Sequence, residues 1–160
     1  MKTKVPYEIT SNAIKGYDES TIAKEERNDC VVRAFASAFD IPYDKAWKII
    51  SEKFGRQPRQ GTYNTYATLN KLSEARYTCN YKKIKPIGKT RGDLHYDVKV
   101  KGEVVKRKMT VGTFVKKNPE GTFFILVRGH AFTIKNGVVI GNYEDSIKLK
   151  KGINFAYQIK

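Results

Sequence analysis

Apolar residues recur at helical spacing from Cys30 onward: Val31, Phe35 and Phe39 form one row, and Cys30, Ala34 and Ala38 the next. Positions four apart share a face of an α-helix, so ERNDCVVRAFASAFD predicts a helix with one apolar side that opens at Cys30. Asn28 and Asp29 stand just ahead of it, and their side-chain oxygens suit the free N–H groups of a first turn. Asp40-Ile41-Pro42 ends it, because proline disfavours helical backbone in the residue before it. A second helix is expected to be capped by Asp44 and stopped by Gly55, with Ala46, Trp47, Ile49, Ile50 and Phe54 facing inward. Trp47 reads as packing between the two helices. A third helix is predicted over 63–75, where Tyr63, Tyr66, Leu69 and Leu72 fall close to one buried stripe.

From residue 76 the pattern turns to alternation, with Tyr77, Cys79 and Tyr81 on one face, then Ile84 and Ile87. Cys79 sits inside that strand pattern and reads as packing. Over 92–109, Val98 and Val100 alternate with lysines, Lys101-Gly102 can turn and Val104-Val105 return, the signature of an exposed basic hairpin. Thr110 or Thr113 opens a short helix that Asn118-Pro119 closes. The stretches 122–128 and 130–135 are apolar enough for central antiparallel strands, and Asn136-Gly137 suits a two-residue hairpin turn. Strands over 138–140 and 153–159 complete the sheet. Helices first and an antiparallel sheet second predict an α+β fold, with residues 1–24 as an N-terminal arm and 25–160 as a single domain.

Charge adds a second theme. The 160 residues carry 31 Lys and Arg against 16 Asp and Glu, a net charge of +15. That balance favours nucleic acid or another acidic surface as neighbour, although a lysine-rich chain can also be basic for solubility alone. No apolar run approaches membrane-spanning length, so no membrane partner is expected. Two cysteines without a repeating spacing suggest no disulfide framework, which places the protein in a reducing cytoplasm. His95 stands among Asp93, Tyr96 and Asp97 with no second histidine near, so neither a metal site nor a cofactor is expected.

Candidate chemistry begins with Cys30. A free cysteine is most often a small buried apolar residue, but the first turn of a helix is where the positive end of the dipole favours a thiolate. His130, one of two histidines, lies in FFILVRGHAFTIKNGVVIGNYED on the predicted strands. A cysteine opening an N-terminal helix, then a histidine and an amide or acid on C-terminal strands, is the order of a papain-like cysteine hydrolase. N-D-C-V-V-R-A resembles the N-D-C-x-x-R-A signature of small phage-encoded papain-like proteins. Their T-V-x-x-F…G-T…G-H-A pattern is similar to residues 110–131. More distantly, the helix looks like the C-x-x-R-A nucleophile helix of ovarian-tumour deubiquitinases.

The resemblance implies a papain-like fold, N-terminal helices packed on a C-terminal antiparallel sheet, acting on a peptide or isopeptide bond in a phage-infected cell or as part of a virion. It implies Cys30 as nucleophile, His130 as its base and a third member at Asn142, with Asp145 as the alternative. Many papain-like enzymes have an oxyanion glutamine where this chain has Lys24; Asn28 and the backbone N–H of Cys30 are the replacements. This departure leaves a second expectation open, an inactive relative that binds nucleic acid or an acidic virion or host protein. Asp29 is assigned to capping. Arg33 is expected to pin the loop ahead of the helix or pair with Asp29. Arg128 is a substrate-carboxylate ligand or a strand-end charge. Arg56 and Arg59 read as solvated loop charges that could also touch an acidic substrate.

Overall fold

The computed structural model describes residues 6–90 and 92–160. The chain starts with strand β1 (Tyr7–Ile9) and two short helices, α1 (Thr10–Ala13) and α2 (Thr21–Glu25). Three longer helices follow, α3 (Cys30–Phe39), α4 (Tyr43–Phe54) and α5 (Thr65–Glu74). Next come β2 (Thr78–Cys79), β3 (Lys82–Gly88), β4 (His95–Val100) and β5 (Glu103–Lys108). The remainder holds α6 (Val111–Lys117), β6 (Thr122–Val127), β7 (His130–Lys135), β8 (Val138–Gly141), α7 (Tyr143–Ile147) and β9 (Ile153–Ile159).

The arrangement is mixed α+β around one seven-stranded sheet in the order β1-β8-β7-β6-β9-β3-β2. Every pairing in it is antiparallel except β1 on β8. Antiparallel pairing agrees with the sequence reading, but the sheet is not purely C-terminal: β1 joins one edge, and β2 and β3 extend the other beyond β9. The two faces of β6 explain the apolar run TFFILV. Phe124 and Leu126 face α3, α4 and α5, whereas Phe123, Ile125 and Val127 face α6 through Val111 and Phe114. A strand covered on both sides has no solvent face to alternate with.

Helix α3 is the central piece of the helical layer, with eight of its residues buried, including Phe35, Phe39 and Val32. Its buried hydroxyl Ser37 meets Thr133 of β7 at 2.9 Å, and Thr133 in turn donates to the Ala34 carbonyl at 2.8 Å. Buried polar groups that satisfy one another tie the two elements in one register. That matters because α3 begins with Cys30 and β7 with His130.

The structure revises several local expectations. The N-terminal arm is part of the domain from Tyr7 on, since Thr10, Ile14, Ser20 and Ala23 are buried; residues 1–5 lie outside the described residues. Pro42, not Asp44, occupies the cap of α4; Asp44 sits in its first turn and accepts a hydrogen bond from Ser20. Tyr63 precedes α5 and is 77% exposed, so it does not belong to the stripe that buries Leu69. Tyr81 is fully exposed in the turn between β2 and β3, where Asn80 and Tyr81 both have positive φ. Arg56 is buried, for reasons given below. The basic hairpin forms as expected, β4 against β5 across Lys101-Gly102, and makes its own two-stranded sheet. Among the described residues no helix is long and apolar enough to cross a membrane.

Candidate active site

Three elements bring Cys30, His130 and Asp145 together. Asn28 takes a left-handed backbone (φ 54°), which turns the chain into α3 so that Cys30 is its first residue. Cys30 is half-buried, so the sulfur is not sealed beneath the aromatic core. The tight β6–β7 turn at Arg128-Gly129, with Gly129 at φ 70°, delivers His130 as the first residue of β7. His130 lines the same groove as Cys30, close enough for the sulfur to act on the ring's charge. Its Nε2 lies 3.0 Å from Oδ2 of Asp145. With Nε2 engaged by the acid, Nδ1 is the ring atom left for the sulfur.

The side chain that faces the ring is therefore that of Asp145, the alternative, and not that of Asn142. The cause is α7, a five-residue helix that follows β8 directly. Asn142 is the residue before that helix and is exposed, while its backbone N–H donates to Asp145 Oδ2 at 2.8 Å. Asp145 thus caps the helix start and faces the ring with the same oxygen. The carboxylate is held from two directions, which fixes it for the imidazole.

The ring is cationic over a wide pH range. Burial works against its charge, but the hydrogen bond the ring donates to Asp145 and its interaction with Cys30, with the electrostatic attraction of both, outweigh it and raise His130 to about 9. The arrangement sets a cationic imidazole beside the Cys30 sulfur. Such a pair keeps a sulfur nucleophile ready at neutral pH.

Gly141 is a site residue that no motif pointed to. A Cβ there would lie 2.5 Å from Asp145 Oδ2 and 3.1 Å from Phe132 Cβ. The atom that would give way is the free end of a side chain, so the fold survives and the Asp145–His130 contact does not. Gly141→Ala is expected to lower the NMR titration midpoint of His130 from about 9 by about one unit or more. An unmoved midpoint would show that Asp145 does not need this space.

Other expectations resolve as follows. Asn28 lines the groove above Cys30, but one N–H of its amide donates to the Arg59 carbonyl at 3.2 Å. The backbone N–H of Cys30 belongs to the first helical turn, whose donors have no partner inside the helix. Lys24 lies in the last turn of α2 and does not line the groove. Asp29 makes no capping bond; its buried carboxylate accepts from the Tyr43 hydroxyl at 2.7 Å and faces Arg33 Nε at 3.1 Å. Arg33 also donates to Thr10 Oγ1 at 3.2 Å, so it pins α1 to the start of α3. Arg128 is exposed beside His130 on the groove wall. His95 and the buried Cys79 lie outside the groove, and no cluster of three metal-ligating side chains exists among the described residues.

Glu26 and Arg56 form the site's foundation, which sequence reasoning missed. Glu26 accepts from Trp47 Nε1 at 2.6 Å, from Arg56 at 2.8 and 3.1 Å, and from the Arg59 backbone at 2.7 Å. Trp47 is therefore a donor as well as a packing residue, and Arg56 is not a solvated loop charge. The groove itself spans about 1480 Å³ between the start of α3, the 61–66 segment, the β6–β7 turn and the start of β9. Tyr66 stacks on Phe155 across its floor, the rings 4.4 Å apart. No protein-family model, no curated protein and no solved structure matches this chain.

Proposed function

We propose that this chain is a papain-like cysteine hydrolase that cleaves a peptide or isopeptide bond, with Cys30 as nucleophile, His130 as acid and base, and Asp145 as the group that orients the ring. The observation that carries this reading is the position of His130, which shares an open groove with Cys30 close enough to feel its sulfur and has Nε2 3.0 Å from Asp145. The thiolate adds to the carbonyl carbon, and the C=O electron pair moves to oxygen. The Cys30 backbone N–H and the remaining N–H of Asn28 are the donors that would serve that oxyanion. Collapse breaks the C–N bond, and His130 gives its proton to the departing amine, leaving a thioester. Water then adds as neutral His130 removes its proton. The C–S bond breaks, releasing the carboxylic acid and restoring thiolate and imidazolium. The similarity of N-D-C-V-V-R-A to phage proteins supports a phage source, with action in the cytoplasm of the host cell or in the virion.

The test is alkylation of Cys30 by iodoacetamide near neutral pH, read by mass spectrometry. An ordinary thiol is only a few per cent ionised there, so His130→Ala is expected to slow labelling about tenfold or more. An unreactive Cys30, or a rate that His130→Ala leaves unchanged, sinks the proposal.

One observation favours a second reading, a basic binding module without catalysis. Every residue of β5 is exposed, including Lys106, Arg107 and Lys108, and Val104 is 63% exposed. Such a ribbon suits a polyanion. Retention on DNA or RNA that falls steeply with salt supports it, and no retention at low salt removes it.

A further inference from the structure

We infer that the groove selects an acidic polypeptide segment, whose Asp or Glu side chains flank the bond presented to Cys30. The inference rests on the hydrolase reading for the bond that is attacked, and on charge alone for the side chains that flank it.

Besides His130, the groove lining holds two acids and five Lys or Arg side chains. Both acids are matched within the fold: Glu26 by Arg56 at 2.8 Å, and Asp29 by Arg33 at 3.1 Å. The remaining cations, Arg27, Lys108, Arg128 and Lys151, have no acidic partner among the described residues. The groove therefore presents positive charge with nothing of its own to neutralise it. Low-dielectric walls strengthen such a field at the reaction centre.

Three of these four stand on the sheet wall. Arg128 is in the β6–β7 turn, two residues from His130, and Val127 before it pairs with Ile153 at the start of β9. Lys151 lies just ahead of β9. Lys108 reaches the same place from the end of β5, because its Nζ donates to Asn154 Oδ1 at 2.6 Å and its side chain packs where a Cβ on Gly152 would sit. Asn154 is buried at 6% exposure, so the Lys108 ammonium is anchored to the wall although the residue as a whole is exposed. In β4–β5 the cross-strand pairs Asp97–Lys106 and Lys99–Val104 share the face of Lys108, so the same basic face continues onto the hairpin. Arg27 supplies the cation on the helix wall.

A polypeptide fits this setting better than a nucleic acid. The groove's reaction centre acts on an acyl carbon, which a peptide backbone supplies and a phosphodiester lacks. Carboxylates on neighbouring residues of an extended chain then reach Lys108, Arg128 and Lys151 on one wall, or Arg27 on the other.

The experiment uses the full chain with Cys30→Ala and fluorescein-labelled decapeptides that are Glu-rich, neutral or Lys-rich, read by fluorescence anisotropy at low and physiological salt. The Glu-rich peptide is expected to bind at least about tenfold more tightly than the neutral one at low salt, with the gap narrowing as salt rises. Lys108→Gln, Arg128→Gln and Lys151→Gln are each expected to weaken it about two- to fivefold, and the triple variant about tenfold or more. The charge reversal Lys151→Glu should weaken the acidic peptide and strengthen the basic one. Equal binding of the three peptides, or loss that ignores these substitutions, overturns the inference. So does a single-stranded oligonucleotide of equal charge that displaces the Glu-rich peptide and depends more strongly on the same lysines. Because binding is read without the thiol, acidic selection with an unreactive wild-type Cys30 would overturn the hydrolase reading alone.

Discussion

Asp145→Asn is expected to pull the titration of His130 toward acid by about one to three pH units and to slow turnover about a hundredfold or more. Asparagine keeps an oxygen that can accept from the ring and from the Asn142 N–H, so the start of α7 persists. What disappears is the negative charge 3.0 Å from Nε2. The ring is then left with burial, which opposes its proton, and with Cys30 alone to support it. In the wild type the folded ring titrates near 9 and the unfolded one at 6.5. Its contribution to stability is therefore fully present below 6.5 and is lost as pH rises through about 9. The same sign governs the proposed hydrolysis. The departing amine needs the imidazolium proton, so acylation falls above about 9, whereas iodoacetamide needs no acid and keeps reacting. In Asp145→Asn the acid needed for acylation is lost at lower pH, so the two profiles separate earlier. NMR titration is direct, because His130 has only His95 to be distinguished from. A His130 midpoint that stays near 9 in the variant would show that Asp145 is a helix cap and nothing more.

Why Asp145 and not Asn142 faces the ring could not be read from the chain, and the reason is length. The α3 pattern runs through enough turns for its period to show, and Asn136-Gly137 identifies its hairpin by turn chemistry. Helix α7 has five residues, YEDSI, too few for any period, yet it decides which of two side chains three residues apart points back at β7. The reading of Asp29 failed differently. Its residue type suits a cap, but a buried tyrosine and an arginine compete for the carboxylate, and Tyr43 arrives from the next helix. Spacing alone sets Tyr63 on one stripe with Tyr66, Leu69 and Leu72, although the helix begins only at Thr65. The meeting of Cys30 with His130 was legible as motif order, but its cause lies in the Ser37–Thr133–Ala34 contacts between α3 and β7. Residues so far apart in sequence carry no local signal of touching. The cationic groove is of the same kind: Lys108, Arg128 and Lys151 look scattered until the ends of β5 and β6 lie beside the start of β9.

Arg56→Ala is expected to destabilise the protein by about 3 kcal/mol, lowering the urea midpoint by about 1–3 M for a chain of this size. The Glu26 and Arg56 side chains are 3% and 0% exposed, and Glu26 lines the groove, so the pair sits behind the groove wall instead of in the apolar core. That position sets the effect at the low end for breaking a buried ion pair. Removing the guanidinium leaves a carboxylate out of water with only Trp47 and the Arg59 N–H to satisfy it. Burial alone would raise Glu26, but hydrogen bonds from Arg56, Trp47 and the Arg59 backbone, with the arginine charge, hold it down at about 2. A carboxyl lowered on folding contributes stability above its ordinary 4.5, and that contribution is lost as pH falls toward about 2. The gap between wild type and Arg56→Ala should therefore be widest near neutrality and close on acidification. The double variant Glu26→Leu/Arg56→Met should recover much of the loss, because no charge is then stranded. Its effect on the site should remain. Glu26 ties the segment ahead of Cys30 to Trp47 and to the loop at Arg59, and Arg56 also holds the Arg27 carbonyl at 3.1 Å. A folded double variant with slowed alkylation of Cys30 would show that the pair positions the nucleophile. Alkylation at the wild-type rate would confine the pair to stability, and a wild-type gap that stays constant from pH 7 to 3 would refute the charge argument.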